Sequence, residues 1–272
     1  MTKVIITNIE KGGTGKTELT TNQAYLLSLK GKTLIIDLDS QGHVLASFGI
    51  DPNVFKVNHI ASVLKGELEW KKAIYNVKDV VNNNNLDILP ANSNLRDFAA
   101  TQKQYGIKVM RLIDEIKKTN LYDFIIVDTS PDIDDAVQAV WQIADLAIIP
   151  YIAEPKCNES LDELIEAIPQ FQFLNKKLKV VIVPNRWTPD RKNKTTGEII
   201  ESRQIQYLKL LKTKINKLKQ VYIAEPISNS EQYANALAGY NKPIVAVHEK
   251  VGSFNKPKKQ QKVLNEFITS KI

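Results

Sequence analysis

Short apolar runs alternate along the chain with longer stretches in which apolar positions recur at helical spacing. The runs at Val4–Asn8, Thr33–Asp37, Leu86–Pro90, Phe124–Asp128, Leu146–Pro150, Lys179–Pro184 and Val221–Ala224 predict strands. Phe124-Ile125-Ile126-Val127 and Val180-Val181-Ile182-Val183 are apolar without a break, as in strands buried on both faces of a parallel sheet. Helical spacing predicts a first helix over Gly15–Leu29, stopped by Gly31. Further helices are predicted over Leu95–Thr119, Asp134–Ile143, Ser160–Leu174, Ile200–Gln220 and Lys258–Ser270. Such alternation predicts an α/β fold, a doubly wound and mostly parallel sheet with helices on both faces. Its ligands gather at the carboxyl ends of the strands. No internal repeat and no linker interrupts the pattern, so residues 1–272 read as a single domain.

Composition narrows this picture in four ways. A hydrophobic content of 43% and a charged content of 25% are those of an ordinary globular protein. No apolar run reaches the length of a membrane span and no secretory leader is visible, which points to the cytoplasm. The single cysteine, Cys157, excludes an internal disulfide framework and any cysteine-based metal or iron–sulfur site within one chain. The net charge of +7 is uneven: residues 176–272 hold 20 Lys+Arg against 7 Asp+Glu, a net of +13, and residues 1–175 a net of −6. That asymmetry points to a basic face that meets nucleic acid or an anionic membrane, or to the solvated surface of a Lys/Asn-rich composition, of which Asn82–Asn85 is a sample.

The chemistry gathers at three strand ends. Lys11-Gly12-Gly13-Thr14-Gly15-Lys16-Thr17 stands between an apolar run and a helical stretch. Glycines there let backbone N–H groups converge on phosphate oxygens, and the helix beyond the loop adds the positive end of its dipole. Lys16 can reach the β- and γ-phosphates, and the Thr17 hydroxyl can ligate Mg²⁺. The usual phosphate loop has glycine where this chain has Glu10, and this one carries a second lysine, Lys11. The second strand end, Asp37-Leu38-Asp39-Ser40-Gln41-Gly42, presents two carboxylates on one side. One can help hold Mg²⁺ while the other orients an attacking water. The third, Phe124-Ile125-Ile126-Val127-Asp128-Thr129-Ser130-Pro131, ends an apolar strand in an aspartate suited to Mg²⁺.

Together these segments resemble the ParA/MinD family of deviant Walker ATPases, and within it the ParA-type partition ATPases. The resemblance continues through Ala144–Pro150 to Ala238-Gly239-Tyr240-Asn241-Lys242-Pro243-Ile244. It implies a P-loop NTPase fold and a slow, partner-stimulated ATPase using ATP and Mg²⁺. Lys11 would then reach across a homodimer to the partner's ATP, as an arginine finger does. The nucleotide would lie on Gly12, Gly13, Thr14, Gly15, Lys16, Thr17 and Glu18, with Asn185 at the adenine. Lys11, Lys16 and Asp39 would serve catalysis, Asp39 positioning the water, and Thr17, Asp37 and Asp128 would serve the metal. Two positions depart from the family: Ser40 replaces its usual proline, and Glu18 replaces a hydroxyl residue near the α-phosphate.

ParA-type dimers bind DNA without reading sequence, for which Lys/Arg contacts to phosphates suffice. The candidates are Arg186, Arg191, Lys192, Lys194, Arg203, Lys209, Lys212 and Lys217; Lys214 and Lys219 lie in the same helical stretch. Its apolar positions Ile205, Leu208, Leu211, Ile215 and Leu218 face inward at helical spacing. The resemblance further implies a centromere-binding, ParB-like adaptor, a nucleoid-associated cytoplasmic location and no stable membrane association. Residues 1–3 leave no room for a separate operator-reading module before the first strand. Two rival readings stand beside partition. In one, the basic amphipathic tail, with Val263, Leu264, Phe267 and Ile268 on one side, places a MinD-like ATPase on anionic lipid. In the other, Ser40 and Glu18 blunt turnover and the chain is a non-enzymatic nucleotide sensor regulating plasmid replication or conjugation.

Overall fold

The computed structural model describes residues 1–131, 134–188, 191–192, 199–200, 203–248 and 251–272, with backbone alone at 191–192, 199–200 and 203. The first half runs β1 (Lys3–Thr7), α1 (Lys16–Ser28), β2 (Thr33–Leu38), α2 (His43–Ala46), α3 (Ile60–Lys65), α4 (Trp70–Ala73), β3 (Tyr75–Asn76), α5 (Lys78–Val81), β4 (Leu86–Leu89), α6 (Asn94–Thr101) and α7 (Tyr105–Lys118). The second half runs β5 (Phe124–Thr129), α8 (Asp135–Ile143), β6 (Leu146–Tyr151), α9 (Pro155–Leu174), β7 (Lys179–Pro184), β8 (Arg191–Lys192), β9 (Ile199–Ile200), α10 (Arg203–Ile215), β10 (Val221–Ile223), α11 (Gln232–Tyr240) and α12 (Asn255–Thr269).

Eight strands form one sheet in the order β10-β7-β6-β1-β5-β2-β4-β3, parallel throughout except for the β3–β4 edge pair. Each predicted strand lies in it, within a residue or so at either end. Alternation along each strand divides the core in two. Val4, Ile6, Leu34, Ile36, Ile125 and Val127 face one layer, covered by α6 to α9. Ile5, Ile35, Ile126, Ile148 and Val181 face the other, covered by α1 and α12. The doubly wound, mostly parallel α/β architecture is therefore observed.

Three boundaries differ from the sequence expectation, each for a local reason, and one helix is not expected from it. The stretch 95–119 is two helices, because Gln102 is extended (φ −101°, ψ 104°). The break lets the first turn of α7 press Gly106 hard against α8, where a Cβ would lie 2.2 Å from the Asp135 carbonyl oxygen. Helix α9 begins at Pro155 rather than Ser160, since proline is well placed in a first turn, where its missing N–H leaves no bond unmade. Helix α10 ends at Ile215, and residues 216–220 turn into β10 through Gln220 at φ +57°. Helix α11 carries no strong apolar periodicity, so the sequence pattern does not predict it.

Helix α1 is buried on nearly every side, which its polar sequence does not announce. It lies between the sheet and α12, where several of its polar groups find partners. Gln23 Nε2 donates to Gln261 Oε1 at 2.7 Å, Gln261 Nε2 to the Tyr233 hydroxyl at 2.9 Å, and Val245 N to Asn22 Oδ1 at 3.3 Å. Leu264 and Ile268 of α12 are buried in this layer, while Val263 is 41% exposed. The tail therefore docks on the body, with half of its apolar stripe spent on the core. No helix among the described residues is long and apolar enough to cross a membrane.

Candidate functional site

Strand β1 ends in the middle of the sheet, between β5 and β6, and both neighbours hold the residue just beyond it. Asn8 N donates to the Ile148 carbonyl at 3.1 Å, and Asn8 Nδ2 to Thr129 Oγ1 at 3.0 Å. The chain then turns back over the strand ends with Gly13 and Gly15 in the left-handed region (φ 74° and 93°). A Cβ at position 15 would stand 2.5 Å from Asn185 Nδ2, so conformation and space both demand glycine. Asn185, at the end of β7, donates that nitrogen to the Thr14 carbonyl at 2.8 Å. The residue assigned to adenine thus clasps the outside of the loop.

Lys16 opens α1 with its ammonium buried inside the loop, donating to the carbonyls of Lys11 at 2.9 Å and Ile9 at 3.2 Å. Beneath it the carboxylate of Asp128 is fully buried. Asp128 Oδ2 accepts from the Thr17 hydroxyl at 2.7 Å, and Oδ1 from the Thr20 hydroxyl at 2.9 Å. Asp37 is its register partner on β2 and equally buried. Asp37 Oδ1 accepts from Asp39 N at 2.9 Å and Oδ2 from Val44 N at 3.4 Å. Asp39 Oδ1 accepts from Gln41 N at 2.9 Å, and its Oδ2 lies 4.0 Å from His43 Nδ1.

Three carboxylates around one ammonium leave the floor of the site short of positive charge. Burial pushes Asp128 up to about 6; the Thr17 and Thr20 hydroxyls and Lys16 oppose the rise, and the charge of Asp39 adds to it. Burial and the charge of Asp128 hold Asp37 well above the usual carboxylate range. Burial also pushes Glu18 up to about 7, against the pull of Arg186.

Above this floor lies a cavity of about 620 Å³. Gly12, Gly13, Gly15, Lys16, Thr17, Glu18, Asp39, Ser40 and Gln41 line it, with Arg186 on its rim. Asp37 and Asp128 lie under the lining, and Lys11 is half-buried outside it. His43, Arg96, Tyr105 and Asp134 join the wall from α2, α6, α7 and the start of α8, none of them singled out by the sequence pattern. For Thr20 a signal exists: it stands three residues after Thr17, on the same face of α1. For Arg96 and Tyr105 there is none, because their place depends on how α6 and α7 fold over β2 and β5.

The DNA candidates scatter. Lys209 and Lys212 are exposed on α10, and Lys217 is exposed in the turn beyond it; Leu211 and Ile215 supply the buried face. Lys194 lies outside the described residues, as do the side chains of Arg191, Lys192 and Arg203. Among the described residues no group of three His, Cys, Asp or Glu side chains is arranged to hold a metal alone.

Comparison with known proteins agrees with this geometry. A family model described as an AAA domain (AAA_31) matches residues 2–180. A ParA family protein of Mycoplasma pneumoniae is 29% identical over 252 residues, 87% of each chain. Among solved structures, a putative plasmid partition protein of Borrelia burgdorferi bound to AMPPNP is 25% identical, covers 99% of this chain and 100% of its own, and has a TM-score of 0.72. Cyanothece McdA, in complex with ATP, superposes with a TM-score of 0.76 at 20% identity, over 98% of this chain and 96% of its own. The chain therefore belongs to the AAA_31 family of AAA domains and is a ParA-type ATPase.

Proposed function

We propose that the protein is a Mg²⁺-dependent ATPase that dimerises around ATP, binds DNA without sequence preference and drives plasmid or chromosome partition with a centromere-binding adaptor. The observation that carries the reading is the Lys16–Thr17–Asp128 arrangement: a buried ammonium at the centre of a glycine loop, above a hydroxyl already turned to a buried carboxylate. Partition itself draws support from the ParA family relatives and the Borrelia partition protein.

ATP and Mg²⁺ fit the residues present. A floor of buried carboxylates above their ordinary range calls for a cation. Mg²⁺ keeps several waters and takes one or two carboxylates plus phosphate oxygens, so no all-protein cage is needed. Thr17 would ligate it directly, and Asp128 and Asp37 would hold its waters. The bound metal would neutralise charge on the phosphates. Lys16 would exchange its loop carbonyls for phosphate oxygens, and the loop N–H groups would do the same work around them. Asp39, held by Gln41 N and open to the cavity, would orient the attacking water. Lys11 stands outside its own chain's cavity, where a partner's nucleotide could meet it.

The DNA surface is assigned to the exposed lysines Lys209, Lys212 and Lys217. The reading is tested by DNA binding at low salt with and without ATP. Retention of DNA only with ATP, and its loss in Lys16→Ala, is the expected result. ATP-independent binding, or binding to anionic vesicles in place of DNA, would overturn it. Asp39→Ala should keep ATP bound and accumulate dimer by size-exclusion chromatography; unchanged turnover would remove Asp39 from its role.

A further inference from the structure

Beside the main cavity lies a smaller one of about 190 Å³, walled by the start of α1, Asn185 and Arg186 just after β7, the segment 228–230, α11 and Gln261 of α12. Gly15, Glu18 and Arg186 are the residues that line both. They frame the throat between the phosphate chamber and the side chamber, and Glu18 and Arg186 are the charged residues of the side chamber's wall. Glu18 follows Thr17 in the first turn of α1. Its Oε1 is buried without a hydrogen-bond partner among the described residues. Arg186 is an exposed side chain on a strained backbone, at φ +51°. Both of its neighbours are pinned: Asn185 N donates to the Tyr151 carbonyl at 2.7 Å, and Trp187 N to the Ile227 carbonyl at 2.8 Å. The backbone at Arg186 is therefore set by the frame, which fixes where its side chain leaves the chain, beside the throat.

Resting on the ATP reading above, we propose that Glu18 and Arg186 are an affinity-setting charge pair: Arg186 neutralises Glu18 in the empty throat and turns to the nucleotide's phosphates when these enter. A carboxylate one residue beyond the metal-ligating threonine repels the incoming phosphate. A guanidinium beside the same throat offsets that repulsion, because guanidinium binds phosphate and carboxylate with the same fork of donors. A hydroxyl at position 18 would need no such partner. Arg186 thus belongs to the nucleotide site, and not to the DNA surface on which its charge alone would place it.

The test is a double-mutant cycle read by titration with a fluorescent ATP analogue, with melting curves to show that each variant is folded. Glu18→Gln should tighten binding about tenfold, and Arg186→Gln should weaken it less than about threefold in the parent chain, where the phosphate contact is offset by the Glu18 pairing given up, but about tenfold beside Glu18→Gln. Arg186→Lys, which keeps the charge and loses the fork, should fall between. Equal cost of Arg186→Gln in both backgrounds, or no effect of Glu18→Gln, overturns the pair. A parent chain that fails to bind the analogue refutes the ATP reading instead. Retention of ATP-dependent DNA binding by Arg186→Gln at saturating ATP separates its role from DNA contact; loss there would return Arg186 to the DNA surface.

Discussion

The centre and one edge of the sheet treat charge in opposite ways. At the centre, α1, β2 and β5 carry Lys16, Asp37 and Asp128 into the interior, each with named partners a hydrogen bond away. At its β7–β10 edge, α10 and the turn after it spread lysines over the surface, where the positions are interchangeable and the sum matters. Buried charge is specific and costly; exposed charge is additive and cheap. A single substitution should therefore act strongly at the centre and weakly at the edge, and four experiments can break that contrast.

The largest effect belongs to Lys16→Ala, which should weaken ATP binding by more than about a hundredfold, measured by calorimetry, because it removes the buried cation of the loop. Next comes Asp128→Asn. Its folded-state pKa of about 6 lies above the ordinary 3.8, so the native state favours the protonated form. That contribution is complete below about pH 4 and is lost as pH rises through 6, so at pH 7.5 the ionised carboxylate is at its most destabilising. The variant should raise the melting temperature of the nucleotide-free protein at pH 7.5 by a few degrees, equivalent to about 1–3 kcal/mol. The gain should shrink toward pH 5, and stabilisation by Mg²⁺ and ATP should disappear. A variant less stable than the parent at pH 7.5 would show that the two threonine hydrogen bonds outweigh desolvation.

At the edge, Lys209→Glu, Lys212→Glu and Lys217→Glu should each weaken DNA binding several-fold, and each lost phosphate contact should lower the slope of log K against log salt by about 0.9. A single lysine that abolished binding would mean that the edge, too, is specific. Smallest of all, Asp162→Asn breaks the exposed ion pair with Lys214, at 2.6 Å, and should change stability by less than about 0.5 kcal/mol in denaturant melts.

The same contrast governs what can be read from the chain. The strands are legible because burial on both faces forces unbroken apolar runs, and the loop because only glycine fits at position 15. The carboxylates are legible as strand ends, and Thr20 only once Asp128 is seen beneath it. Helix α1 conceals its burial behind polar residues whose partners, Gln261 and the backbone at Val245, lie more than two hundred positions away. Arg186 reads from its charge as part of the basic face, whereas the path of the chain after β7 puts it on the wall of the main cavity, which the charge pattern does not reveal. Exposed lysines reveal a sum but not a site, because no packing constraint distinguishes one from another.

The ammonium of Lys16 rests on two carbonyls of its own loop, and this shapes the whole reaction cycle. The empty loop is already satisfied, so ATP gains only the difference between two sets of bonds. A binding site that needs no ligand to keep its shape can let its product go.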